Sequence, residues 1–232
     1  MSELIRIRHL SYRYPDGTTA LRDVSFVMGD DERVALLGAN GSGKTTLLLH
    51  LNGLLQSKTG EVELDGMPVE ASNLKQIRQR VGFLFQNPDD QLFLPTVAEN
   101  IAFGISKRDN GRDERVRTLL EQVGLAGLEG RNAWHLSIGE KRRASLASVL
   151  AMKVRLLVLD EPTAGLDPRG QREFGGMLDT MRLPMVIASH NLEFVRRLCT
   201  RVVVLEHGSV AADGPTETIL NDKPLLLQHG LA

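Results

Sequence analysis

The eight residues Gly38-Ala39-Asn40-Gly41-Ser42-Gly43-Lys44-Thr45 have the form G-x-x-x-x-G-K-[ST], the pattern of a phosphate-binding P-loop. Glycines at 38, 41 and 43 let the backbone turn tightly, so that successive N–H groups face one phosphate chain. A helix beginning at Thr46 adds its positive N-terminal end beneath the same phosphates. Lys44 can neutralise the β- and γ-phosphates, and the Thr45 hydroxyl can ligate Mg²⁺. The alternative is a glycine-rich strand-to-helix turn with no ligand. Both flanks favour the binding loop: Arg33-Val34-Ala35-Leu36-Leu37 reads as a buried strand, and Thr46-Leu47-Leu48-Leu49-His50-Leu51 as a helix.

A second chemical stretch is Leu156-Leu157-Val158-Leu159-Asp160-Glu161, an apolar run ending in two acids. Such a run is a strand buried on both faces, and its tip is where open α/β sheets bind ligands. Asp160 can hold Mg²⁺ or its waters. Glu161 can polarise the water that attacks a γ-phosphate. The plainer reading has the acids cap the strand or pair with Lys or Arg. Two more apolar strands end in polar groups: Val81–Phe85 runs into Gln86, and Met185–Ser189 into His190. A lone histidine means little; at a strand tip beside these others it joins the same site.

Elements must position these groups. Residues 4–10 alternate as a strand exposed on one face, and Leu21–Phe26 forms another. Pro15-Asp16-Gly17 is a turn after Tyr12 and Tyr14. Tyr14 could stack on adenine, or both tyrosines could pack as strand residues. Asp65-Gly66, after the alternating Glu61–Leu64, signals a hairpin. From about 96 to 135 the pattern is helical: Val116, Leu119, Leu120 and Val123 share a face and Gly124 stops the helix. Ser137 and Glu140 have the spacing of a capping box, and a helix continues through Met152. That N-terminus is either just a capped helix or an anion site. Asp167-Pro168 starts one more helix as N-cap and first-turn proline. The fold class expected is α/β, a P-loop core with a mixed sheet, an antiparallel β subdomain and an inserted helical subdomain. The core takes residues 1–86 and 151–232, and the helical insertion 87–150.

Composition limits the partners. At 232 residues, 25% charged and net −1, the chain shows no charge excess for wholesale binding to nucleic acid or anionic membrane. Its single cysteine, Cys199, makes no internal disulfide and reads as a buried thiol in a cytoplasmic setting. No apolar run approaches the ~18 residues needed to cross a bilayer. The segment Met1–Arg6 is no signal peptide. The roughly forty residues after His190 predict no large C-terminal regulatory domain.

Together these landmarks resemble the ATP-binding-cassette (ABC) ATPases over essentially the whole chain. Gly38–Thr45 is similar to Walker A, with Thr46 beside it, and Leu156–Asp160 with Glu161 to Walker B and its catalytic glutamate. Gln86 resembles the Q-loop, which also reaches the Mg²⁺; Ala164–Asp167 the D-loop, His190 the switch histidine and Tyr14 the adenine-stacking residue. Leu136-Ser137-Ile138-Gly139-Glu140 resembles the signature L-S-G-G-Q, with Ile138 and Glu140 replacing glycine and glutamine. Segments 14–17, 50–54, 85–93 and 164–167 look like energy-coupling-factor importers, above all their cobalt/nickel-type ATPase subunits.

The resemblance implies ATP and Mg²⁺ as ligands and hydrolysis by Glu161, His190 and Gln86. It implies a second cassette whose signature faces this P-loop, with Asp167 at the seam. It also implies a transmembrane coupling subunit, a substrate-binding membrane subunit, and a peripheral place on the cytoplasmic face of the membrane. Asp89 and Asp90 are expected to meet basic residues of the coupling subunit, or to be solvated turn carboxylates. Alternative functions are an importer for a vitamin or amino acid, a soluble ABC protein, and a scaffold that binds nucleotide without hydrolysing it.

Overall fold

The computed structural model describes residues 2–231; Met1, which opens the N-terminal segment read above, and Ala232 lie outside them. A six-stranded sheet carries the site. It contains β3 (Arg33–Leu37), β6 (Val81–Leu84), β7 (Leu156–Asp160), β8 (Met185–Ala188), β9 (Arg201–Glu206) and β10 (Ser209–Pro215). Their order is β10-β9-β3-β8-β7-β6, all parallel except β10. The strands β3, β6, β7 and β8 are short apolar runs because helices or a second sheet cover both their faces. Alternate residues go to opposite cores: Leu156 and Val158 to one, Leu157 and Leu159 to the other.

The second sheet is antiparallel, in the order β2-β1-β4-β5, built from β1 (Glu3–Arg13), β2 (Thr19–Gly29), β4 (Thr59–Leu64) and β5 (Met67–Pro68). Asp65 and Gly66, at φ 50° and 71°, form the two-residue hairpin turn whose positive dihedrals match strand twist. This sheet packs its Leu4, Ile7, Leu21 and Val24 against helix α1 (Lys44–Leu51) and the inner face of the large sheet.

Residues 96–135 are less continuous than the helical pattern suggests. They hold α3 (Val97–Phe103), α4 (Arg112–Gln122) and a 3₁₀ turn at Ala133–His135. Gly124 follows α4 at φ 65° and stops it. With α5 (Ile138–Leu150) these helices enclose a separate core of Val97, Ile101, Val116, Leu120 and Ala147. Helices α6 (Pro168–Asp179) and α7 (Leu192–Leu198) cover the outer face of the large sheet. Asp167 accepts from the Gly170 N–H at 2.7 Å and so caps α6. Cys199 is buried, which pushes its thiol up to about 12 and leaves it unreactive.

Gly82 in β6 is a packing necessity: a Cβ there would lie 2.2 Å from Val149 Cγ1. We expect Gly82→Ala to cost about 1–3 kcal/mol through overpacking, seen as a lowered Tm. An unchanged melt would show that Val149 yields freely.

Candidate functional site

Register brings the strand tips level. Asp160 of β7 lies opposite Ala188 of β8, and Leu84 of β6 opposite Leu159. Leu36 of β3 is opposite the same Ala188. The loop at 38–43, Gln86, Asp160-Glu161 and His190 therefore leave the sheet from one crest. They surround a cavity of about 430 Å³ lined by Tyr14, Asn40, Lys44, Thr45, Thr46, Gln86, Asp160, Glu161 and His190, among others. Thr18, Thr19, Ala20 and Ala164 also line it. No local signal marked the three residues 18–20. They are present because β2 begins against the loop.

Two glycines of the loop have no substitute. Gly38 sits at φ 147°, and a Cβ would be 2.2 Å from the Leu205 carbonyl; at Gly43, φ 107°, it would be 2.6 Å from the Ala20 carbonyl. Lys44 Nζ folds back and donates to the carbonyls of Gly38 at 2.7 Å and Ala39 at 3.1 Å. Burial pulls its pKa below the usual lysine range, against the opposing charges of Glu161 and Asp160. Gly41 and Gly43 line the cavity with Asn40, while Ala39 and Ser42 line a cleft on the far side of the loop.

Thr45 Oγ1 donates to Asp160 Oδ2 at 2.9 Å. Asp160 is 4% exposed, and its Oδ1 has no hydrogen-bond partner among the described residues. Burial raises its pKa, while the Thr45 hydroxyl and Lys44 oppose that. A buried carboxylate oxygen without a donor, beside a hydroxyl, is the oxygen donor set that suits Mg²⁺. Among the described residues no group of three or more His, Cys, Asp or Glu side chains is placed to hold a metal ion. An ion at Asp160 would thus depend on hydroxyl, amide and phosphate oxygens as well.

Glu161 stands at φ 44°, in the left-handed region. A non-glycine residue held there costs of order 1–3 kcal/mol, and such strain gathers at functional sites. Its backbone N–H is fastened to the Ala188 carbonyl at 2.9 Å. Its carboxylate accepts from the His190 N–H at 3.2 Å and lies 3.1 Å from His190 Nε2. The same Nε2 is 3.0 Å from Asn40 Oδ1, so His190 ties the β7 tip to the loop of β3. Burial raises the Glu161 pKa, and His190 and Lys44 only partly oppose it.

A carboxyl whose pKa is raised on folding weakens the fold as pH rises through that raised value. Glu161→Gln lacks that loss. We therefore expect the variant to melt above the natural chain at neutral pH, with the gap closing in acid. A gap independent of pH would show that ionisation at 161 does not strain the fold.

Tyr12 and Tyr14 pack edge-on against each other, ring centres 5.0 Å apart, and of the two Tyr14 lines the cavity. Tyr12 packs edge-on against His50, ring centres 4.8 Å apart. Tyr14 lies just past β1, lines the cavity and shares a 3.0 Å hydrogen bond with Thr46 Oγ1.

Ser137, Ile138, Gly139 and Glu140 are not among the residues lining this cavity. They lie at the start of α5, where the Ser137 N–H donates to the Glu140 carboxylate at 2.7 Å and the Glu140 N–H donates to Ser137 Oγ at 3.3 Å. That is the reciprocal capping box. The Ser137 N–H lowers the Glu140 pKa most, and the Ser137 hydroxyl, donating to the same carboxylate at 2.8 Å, lowers it further. Ile138 is exposed, as is Asp167. Asp89, expected to face a partner, pairs within the chain to Lys141 at 2.7 Å, while Asp90 is exposed. The physical reason is that the 3₁₀ turn Pro88–Asp90 packs on α5.

Comparison with known proteins agrees with the geometry. A family model described as ABC transporter matches residues 21–164. A putative ABC transporter ATP-binding protein of Gloeobacter violaceus is 50% identical, covering 100% of this chain and 97% of its own length. The energy-coupling factor transporter ATP-binding protein EcfA of Methanothermobacter thermautotrophicus is 46% identical over 98% of this chain and 76% of its own. Among solved structures, cbiO1 from Clostridium perfringens, part of the ABC transporter complex cbiONQ, superposes with a TM-score of 0.87. It is 32% identical, and the match covers 100% of this chain and 96% of that one.

Proposed function

This chain belongs to the ABC transporter family, as an ATPase whose hydrolysis of ATP is coupled to transport, and from that premise we propose that it powers an energy-coupling-factor-type importer. The observation carrying this reading is the convergence of Lys44, Thr45, Gln86, Asp160, Glu161 and His190 on one cavity while Ser137–Glu140 stand apart from it. A cassette with both half-sites on different faces needs a second cassette. Two chains then sandwich two ATP molecules head to tail, each signature closing the other's site, with Asp167 at the seam. A γ-phosphate that bridges two donor-bearing surfaces holds them together until hydrolysis removes it.

Within each site the backbone N–H groups of residues 38–45 and the Lys44 ammonium bind the phosphates. Tyr14 stacks on adenine, and Thr46 supports it. Thr45, Asp160 and Gln86 would hold Mg²⁺, which supplies charge neutralisation across the β- and γ-phosphates. Glu161 takes a proton from the attacking water. His190 keeps Glu161 in place and meets the γ-phosphate. Ser137, Ile138, Gly139 and Glu140 approach the γ-phosphate of the partner's nucleotide. Residues 87–150 shift as a helical subdomain against the core formed by 1–86 and 151–232, and the loop after Gln86 passes that motion to the membrane.

Among the described residues no helix is long and apolar enough to cross a membrane. In this reading the chain works as a peripheral subunit on the cytoplasmic face, beside a transmembrane coupling subunit and a substrate-binding membrane subunit. Its cargo in this reading is a cobalt or nickel ion. The resemblance of the segments at 14–17, 50–54, 85–93 and 164–167 to cobalt/nickel-type subunits supports that choice.

Paired sites predict turnover per chain that climbs with chain concentration and levels off once all chains are paired. The check is phosphate release across a dilution series, with sedimentation in ATP and Mg²⁺. Full turnover by a chain shown to stay monomeric would remove the second cassette.

A further inference from the structure

We infer that Arg142 is a positioning residue for hydrolysis: its guanidinium holds the loop carrying Gln86 and the loop after Glu161 in one register with α5. The contacts are direct. Nη1 donates to the Phe85 carbonyl at 2.8 Å. Nη2 donates to the Gln86 carbonyl at 2.7 Å and to the Ala164 carbonyl at 3.2 Å. Arg142 is 1% exposed, among the largest fully buried side chains, and makes no ion pair among the described residues. Its hydrogen bonds thus go to backbone carbonyls alone, while its charge also acts on Asp160.

This arrangement fixes backbone, not side chains. A planar guanidinium offers donors in a rigid fork, so the distance between its acceptors is set by covalent geometry. One acceptor belongs to the residue at the end of β6 and another to the loop three residues beyond Glu161. The donor sits on the helix that begins with Ser137. Two other links hold the 85–91 segment along α5: Lys141 to Asp89, and Gln91 Nε2 to the Ser145 carbonyl at 2.9 Å. Neither reaches Ala164. Arg142 alone in this group joins all three segments, so a shift of α5 is carried to both loops that flank the reacting groups.

The inference rests on the roles proposed above for Gln86 and Glu161. The test uses Arg142→Gln, Arg142→Lys and a control, Ile101→Ala, which loosens the helical core that α5 shares but removes none of these hydrogen bonds. We expect R142Q to lower kcat at least about tenfold with KM for ATP within about threefold, since misplacement of about an ångström costs rate and not phosphate binding. R142K, with the charge but not the fork, should recover part of that loss. Amide hydrogen exchange should quicken together at 86–91 and 162–166 in R142Q, while I101A should leave both loops and kcat as they are when assayed well below its melting point. Natural kcat in R142Q, a KM that rises in step with the fall in kcat, or equal loss in I101A would overturn the proposal. If R142Q does not fold, R142K decides: natural kcat and natural exchange at both loops overturn it. Normal hydrolysis by Glu161→Gln would instead sink the assignment of Glu161, and the exchange result would still read the clamp.

Discussion

Glu161→Gln should lower ATP turnover by roughly 10²–10⁴, the usual worth of a general base, and leave ATP binding in place. The side chain keeps its size and its acceptor for the His190 N–H, which the carboxylate now takes at 3.2 Å. What it loses is the capacity to accept a proton from water. Lys44 and the N–H groups of the loop, to which phosphate binding is assigned above, are untouched. Binding without hydrolysis should also leave the bridging γ-phosphate in place, so the variant should accumulate as an ATP-bound pair. Single-turnover phosphate release and sedimentation with ATP measure the two effects. Near-normal hydrolysis would remove Glu161 from the role and shift attention to Gln86 and His190, which line the same cavity.

Lys44→Ala should weaken ATP binding at least about tenfold and in practice to the limit of detection. Hydrogen bonds to charged groups are worth about 1.5–3 kcal/mol each, and here an entire cation directed at phosphates is removed. The neighbourhood makes the loss larger. Asp160 and Glu161 act on the Lys44 ammonium, so without it two acids face the phosphates uncompensated. Lys44 also donates to the Gly38 and Ala39 carbonyls, and those bonds go with it. Isothermal titration with ATP, on a variant whose melt shows it folded, gives the answer. Tight binding would mean that the loop's backbone and Mg²⁺ carry the phosphates by themselves.

Much of the fold was legible because it rests on local patterns. Strands buried on both faces appear as unbroken apolar runs, so β3, β6, β7 and β8 could be read with their polar ends. The hairpin at Asp65-Gly66 and the caps at Ser137 and Asp167 are short-range hydrogen-bond chemistry, and they form as their spacing implies. The helical stretch was read too continuously. The break after Gln122 was legible in Gly124, but the turns at 104–111 were not, because a loop that still buries Ile105 does not interrupt the apolar periodicity. The residues at 18–20 and Arg142 had no such signal. A threonine beside a turn and an arginine in a basic helix look like surface residues until a neighbouring element covers them.

What the sequence alone determined is the set of candidate groups, since eight contiguous residues carry the P-loop pattern and each remaining group ends its own apolar strand. Only the tertiary structure decided which of them meet. Strand order sets β3 beside β8 and β8 beside β7, and so brings His190 to Glu161 and Asn40. It packed Tyr12 against both His50 and Tyr14, set Tyr14 on the cavity wall, paired Asp89 with Lys141, and left Ser137–Glu140 outside the cavity lining. The reason is range: a cap or a tight turn is settled by atoms a few residues apart, whereas these contacts join residues tens to over a hundred positions apart and follow from how whole elements pack.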